Sequence, residues 1–259
     1  MVLLRERGPG EEVEVFLVRR HRKSSFMSDA FVFPGGRIDD DDTSPELGAL
    51  RELFEEAGVL LARGRPLADD ERIEWRRRLN SGEARFSELI ATGVEPDLAR
   101  LHYWARWVTP SVEPKRFDVR FYVAECPSDQ TPSFDRKETT EERWITPSAA
   151  LATHARGDGS DLKLPPPQVR TLFELAPHAR DLAAVRRASA ERREHPHPVM
   201  PRFAQLDDAM ALLLPWDPDY ETRGVGERTP MPHEHFLATG PSRFVLDGMS
   251  WRLTAPGSP

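Results

Sequence analysis

The sequence predicts an α/β fold of the α+β kind, with strands and helices mixed along one chain. Three observations predict it: β-branched runs with period-two alternation before Val18 and again from His102 to Ile145, an unbroken stretch of helix formers from Glu46 to Ala57, and a change of composition after Pro165-Pro166-Pro167. Val2 to Leu4 and Val13 to Val18 are apolar runs separated by turn residues, Arg7-Gly8-Pro9-Gly10-Glu11-Glu12, so they read as a β-hairpin. The basic cluster Arg19-Arg20-His21-Arg22-Lys23 follows, either a solvated strand end or a phosphate clamp. Ala30 to Phe33 reads as a short strand running into Pro34-Gly35-Gly36, where paired glycines permit positive φ and close backbone approach. After the acidic run Asp39 to Asp42, a helix opens at Thr43 or Ser44 with Pro45 behind it and stops at Gly58.

Leu67 to Leu101 is helical in tendency, with Glu71–Leu79 and Phe86–Thr92 split by Asn80-Ser81-Gly82, and reads as an insertion. Strands are expected at His102–Val108, Phe117–Ala124 and Arg143–Ile145, then a helix from Pro147 to about Thr153. Past the three prolines, Val169–Leu175 and Ala179–Ala190 read as helices, Ala209–Leu214 and Phe244–Leu246 as strands, and Thr254–Pro259 as a frayed end. The expected organisation is a core over residues 1–165, carrying the insertion at about 67–101, with an extension over 166–259 packed on it.

Composition narrows the function. The 259 residues are 39% hydrophobic and 31% charged, ample for a buried core. A formal net charge of -7 gives no drive for counterion release, so no nucleic acid polymer is expected as a partner. Cys126 is the one cysteine, which excludes an internal disulfide and a cysteine metal site. No apolar run approaches the ~20 residues that span a bilayer, so no membrane partner and a cytoplasmic location are expected.

The chemistry concentrates in Arg51-Glu52-Leu53-Phe54-Glu55-Glu56-Ala57-Gly58-Val59. Helical spacing puts Glu52, Glu55 and Glu56 on one face and turns Leu50, Leu53 and Phe54 toward a core. Crowded carboxylates repel one another, and a hard, all-oxygen donor set suits Mg²⁺ or Mn²⁺. A wet acidic helix face is the ordinary meaning of such charges. Against it stands the pattern Arg-Glu, apolar, any, Glu-Glu, any, Gly, apolar, which arises by chance in roughly a few chains of this size per ten thousand.

With Phe33-Pro34-Gly35-Gly36 upstream, this segment resembles the Nudix box. The ending matches in full. The front half has one residue too many between Gly36 and Arg51, and Thr43 or one of Asp40 to Asp42 stands where a glutamate is usual. The resemblance implies an αβα sandwich around a mixed sheet, metal ligation by Glu52, Glu55, Glu56 and the Gly36 carbonyl, and Arg51 orienting the glutamates through an ion pair. It also implies one further acid from the loop before the last core strand, Glu138 first and Glu142 second, with Glu55 or Glu138 as general base. The implied reaction is hydrolysis of a diphosphate linkage in a small nucleotide-like molecule.

The interrupted box, the insertion, Trp107-Val108-Thr109-Pro110, Arg116-Phe117-Asp118-Val119-Arg120-Phe121 and Leu213-Leu214-Pro215-Trp216-Asp217-Pro218 look like the branch of coenzyme A diphosphatases of the peroxisomal type 19 sort. Coenzyme A or an acyl derivative is thus the leading substrate, ahead of NADH, nucleotide sugars and dinucleoside polyphosphates. In another coenzyme A branch a signature precedes the Phe-Pro-Gly-Gly; Leu17 and Arg20 fit it, but Ser25 and Asp29 do not. Arg20, Phe33, Gly35, Arg116 and Arg120 are the expected substrate contacts, the last two by alternation on one strand. Surface ion pairing is the commoner role for such arginines, and core packing for Trp104, Trp107 and Phe121. His195-Pro196-His197 and His233-Glu234-His235 have zinc-like spacing, yet the prolines mark loops and no third ligand is recognisable.

Three other functions compete. A nucleotide-sensing domain normally lacks box glutamates that are present here. A prenyl diphosphate isomerase needs a catalytic cysteine in a motif, which Cys126 is not. A messenger-cap hydrolase fits poorly with the acidic balance. The extension could also build a homodimer.

Overall fold

The computed structural model describes residues 1–8, 10–22, 28–156, 162–206, 209–229, 231, 235 and 237–257. The first strands are β1 (Val2–Arg5), β2 (Glu14–Arg20) and β3 (Phe31–Val32). Helix α1 (Pro45–Ala57) follows, then β4 (Ala62–Gly64), α2 (Asp69–Ser81), α3 (Phe86–Ala91) and β5 (Val94–Pro96). Next come β6 (His102–Val108), β7 (Asp118–Glu125), β8 (Thr139–Ile145) and α4 (Pro147–Ala155). The chain continues through α5 (Pro166–Leu175), α6 (Leu182–Glu194), β9 (Pro198–Val199), β10 (Arg202–Leu206), β11 (Ala209–Leu213), β12 (Arg243–Asp247) and β13 (Ser250–Thr254).

The main sheet is mixed and runs β3-β2-β1-β7-β6-β9, with β8 on the other side of β2. β1 and β7 pair in parallel, while β2 is antiparallel to β1, β3 and β8. Alternation along the strands feeds two cores, as a period of two requires. Val15 and Leu17 of β2, Val2 and Leu4 of β1, and Phe121 and Val123 of β7 enter one core. Phe16 and Val18, Leu3, and Tyr122 and Ala124 enter the other. Leu50, Leu53 and Ala57 of α1 close the second face, and Ala150, Leu172 and Val185 of α4, α5 and α6 close the first. The result is the αβα sandwich the resemblance implies.

The hairpin expected at the start is the β1–β2 pair, Leu4 opposite Val15. β8 is longer than the expected Arg143–Ile145, because the polar stretch from Thr139 zips along β2. The insertion contains both expected helices and also a small β4–β5 ladder at its stem, Ala62 opposite Pro96. Its core, with Phe86, Leu89 and Val94, takes in Phe54, so α1 is covered on both sides. In the extension α6 begins at Leu182, three residues beyond the expected start, because the Asp181 side chain caps it on Ala184 N at 2.6 Å. A four-stranded sheet, β10-β11-β12-β13, completes the extension, and Leu212, Leu214 and Phe244 reach the first core. Among the described residues no helix is long and apolar enough to cross a membrane.

Candidate active site

Helix α1 is fixed at both ends. Ser44 accepts from Leu47 N at 3.2 Å, Pro45 occupies the first turn, and Gly58 ends the helix at φ 71° with its N–H on Phe54 O. With Leu50, Leu53 and Ala57 buried, the opposite stripe carries Arg51, Glu52, Glu55 and Glu56 toward the loop from Pro34 to Asp42.

That loop comes very close. Gly35 has φ 152°, and its N–H donates to Glu56 Oε2 at 2.8 Å. A Cβ on Gly36 would lie 2.5 Å from the Glu52 carboxylate, so a larger residue there would push that carboxylate aside. Arg51, 6% exposed, ties the constellation together. Its guanidinium donates to Glu52 Oε1 at 3.0 Å, Glu55 Oε2 at 3.1 Å, Arg37 O at 2.6 Å and Asp42 Oδ2 at 2.9 Å.

Burial dominates the electrostatics. It pushes Glu52 up to about 7 against the pull of Arg51, and Glu56 up to about 8 against the Gly35 hydrogen bond; neighbouring carboxylates add to both. Burial likewise raises Glu55. For Arg51, burial works to lower the pKa, but Asp42, Glu52 and Glu55 overcome it and hold the guanidinium charged. Crowded, desolvated carboxylates beside a glycine cradle fit a hard divalent cation, which would relieve the repulsion. Among the described residues no three acidic or imidazole groups already surround a single point.

A second segment reaches this face. Asp135 accepts from the backbone N–H groups of Lys137, Glu138 and Thr139 at 2.9–3.1 Å, folding the turn that presents Glu138. Both Asp135 and Glu138 lie close enough to raise Glu56. Glu142 instead accepts from Phe134 N and braces this turn. Arg20 sits at a bulge opposite Thr139, half-buried, and its buried Nε has no hydrogen-bond partner among the described residues. The adjoining His21 N donates to Glu138 O at 2.8 Å.

Other expected contacts fall elsewhere. β7 starts at Asp118, so Arg116 lies in the preceding loop and donates to Thr109 O and Met200 Sδ, with Glu227 at 3.6 Å. That corrects the expectation that Arg116 and Arg120 alternate on one strand. Arg120 shares the sheet face of Tyr122, toward α1, with Asp118 at 4.0 Å. Phe33 is buried edge-on against Phe121 at 6.1 Å, and Trp104 and Trp107 are buried with it, so all four fill the core. His197 and His235 meet edge to face at 5.6 Å. Ser25, His233 and Glu234 lie outside the described residues.

Sequence reasoning missed two residues, Asp135 and Arg76, and left Asp42 undecided within the run Asp40 to Asp42. Asp42, its side chain 2% exposed, takes the Arg51 guanidinium across nine residues of chain. Asp135 builds the acid turn, and Arg76 of the insertion binds the end of α1. Asp42 stood in an acidic run already singled out; the other two carry no local signal.

Comparison with known proteins finds relatives of this chain. The sequence profile described as the NUDT19 Nudix domain matches residues 46–175, half of the chain, and the NUDIX domain profile matches residues 1–90. The acyl-coenzyme A diphosphatase NUDT19 of Xenopus laevis is 26% identical over an alignment covering 81% of this chain and 72% of that protein. The human protein of the same name is 31% identical, over 52% of this chain and 40% of its own length. Among solved structures, a NUDIX hydrolase from Alicyclobacillus acidocaldarius matches with a TM-score of 0.56 and 26% identity, covering 72% of this chain and 93% of that one.

Proposed function

Because this chain belongs to the NUDT19 Nudix domain family, we propose that it hydrolyses the diphosphate linkage of coenzyme A or an acyl-coenzyme A with Mg²⁺ or Mn²⁺. The observation that carries the reading is the stripe of burial-raised Glu52, Glu55 and Glu56 laid against the Gly35-Gly36 turn and tethered by Arg51. Glu52, Glu55, Glu56 and the Gly36 carbonyl would hold the cation. When bound, such an ion offsets charge on the diphosphate and acidifies water.

The chain's own groups do the rest. Arg51 keeps Glu52 and Glu55 in fixed orientation, which limits reorganisation during the reaction. Glu138, on its Asp135-built turn, accepts the proton from the attacking water, with Glu55 as the other choice. Water adds at phosphorus, the bridging P–O bond breaks, and each product keeps one of the two phosphates of the split linkage, the adenosine product also retaining its separate ribose phosphate. Arg20, at the β2 bulge beside the Glu138 turn, and Arg120 are the cations proposed to grip the diphosphate. The residues up to 165 supply this machinery, and 166–259 buttress the sheet beneath it.

The test is release of phosphopantetheine and adenosine bisphosphate from coenzyme A, with NADH, nucleotide sugars and dinucleoside polyphosphates run beside it, with Mg²⁺ or Mn²⁺. Coenzyme A and its acyl forms are expected to turn over best, and Glu52→Gln or Glu56→Gln to cut turnover by about 100-fold or more. Turnover of another compound with none of coenzyme A would overturn the substrate; undiminished turnover in both variants would overturn the site.

A further inference from the structure

Arg76 projects from α2 of the insertion into the joint between the catalytic helix and the acid turn. Its Nε donates to Glu55 O at 2.9 Å and its Nη2 to Glu56 O at 2.7 Å, the carbonyls of two box glutamates. The same guanidinium donates to Ser133 Oγ at 2.8 Å and Ser133 O at 2.7 Å, just ahead of Asp135. All four bonds satisfy acceptors that a helix end leaves unpaired or that a loop otherwise gives to water.

Neighbouring contacts reinforce this joint. Asn80 Nδ2 donates to Glu55 O at 3.1 Å, while Lys137 Nζ donates to Asn80 O at 2.9 Å, so the insertion also holds the residue next to Glu138. Ser133 N donates to Ala57 O at 2.9 Å. The charges of Asp135, Glu142 and Glu56 all act on Arg76, against a burial that lowers its pKa.

We infer that Arg76 is a positioning residue: it locks the backbone beneath Glu55 and Glu56 to the segment that delivers Glu138, making the insertion part of the catalytic centre. The inference rests on the proposed function of that helix face. A planar guanidinium is suited to the task because its rigid fork holds four acceptors on two segments at once, where an ammonium offers three donors from a single point. Removing it leaves each glutamate in place and loosens their registry with the turn.

The test is Mn²⁺ binding by the full chain, followed by electron paramagnetic resonance, together with kcat and KM for coenzyme A. Arg76→Gln is expected to weaken Mn²⁺ binding or lower kcat by about 10- to 100-fold with KM little changed, the range found when an outer partner of a metal ligand is lost. Arg76→Lys should recover part of the loss. Arg77→Gln, on the same helix with exposed ion pairs to Glu74 and Glu83, should match the wild type. If Arg76→Gln is folded and indistinguishable from Arg77→Gln while Glu56→Gln loses Mn²⁺, the inference fails and the site stands. If Glu56→Gln also binds Mn²⁺ normally, the site itself fails. Should Arg76→Gln not fold, Asn80→Ala and Lys137→Met probe the same joint, and wild-type values in both would overturn the inference.

Discussion

Glu56 bears the largest conflict between burial and charge at the site. It is 8% exposed, with Glu52, Asp135 and Glu138 nearby and the Gly35 N–H and Arg76 as partly compensating neighbours. Its folded pKa of about 8 lies above the ordinary value of 4.5. The native state therefore holds a proton that the unfolded chain has released, and stability falls as pH rises from about 4.5 toward 8. Glu56→Gln removes that dependence. Without divalent ions, the variant is expected to gain stability over the wild type as pH rises through this window, by on the order of a few kcal/mol at most, at ~1.4 kcal/mol per pKa unit. Mn²⁺ should narrow the gap by stabilising the wild type alone. Urea denaturation of both proteins at several pH values measures it, and a gap independent of pH would contradict it.

At the scale of elements, Gly58 shows how one position serves two ends. Its φ of 71° terminates α1, and a Cβ there would come within 2.8 Å of Arg76 Nη1. Gly82 ends α2 at φ 74° with nothing within 4 Å of such a Cβ. Gly82→Ala is expected to cost about 1–2 kcal/mol from backbone conformation alone. Gly58→Ala should cost more and also depress turnover, because Arg76 must move; equal costs in urea titrations would show that the contact is slack. The helix and its glutamates were legible in the sequence because cap, spacing and apolar stripe are all local. So were β1, β2 and β7, whose alternation answers to two cores. β4, β5 and β9 are too short to alternate, and Thr139 to Glu142 look like a charged loop until β2 supplies a partner. Arg76 and Asp135 were illegible because their roles exist only where distant segments meet.

Across the whole molecule, the segment after residue 165 holds a buried charge cluster of its own that reaches the main sheet through Arg192 on Trp104. Glu174 of α5 accepts from Arg170 at 2.5 Å and from Arg192 of α6 at 2.7 Å, and all three are nearly inaccessible. Arg192 lies over Trp104 at 4.1 Å and Arg170 over Trp216 at 4.7 Å, so β6, α5, α6 and the loop after β11 share one cluster. Glu174→Ala strands two buried guanidiniums and should destabilise by about 3–5 kcal/mol, read from the unfolding midpoint. A much smaller loss would mean that water reaches them. The β2–β8 pairing has a kinetic corollary. Arg19 meets Glu141 across 122 residues, whereas α1 closes within its own turns. Contacts so far apart in sequence form slowly, since the chain must surrender its freedom before they reward it. A newly made molecule is thus expected to close α1 before the Glu138 turn is zipped onto β2, so the proposed catalytic groups come together last.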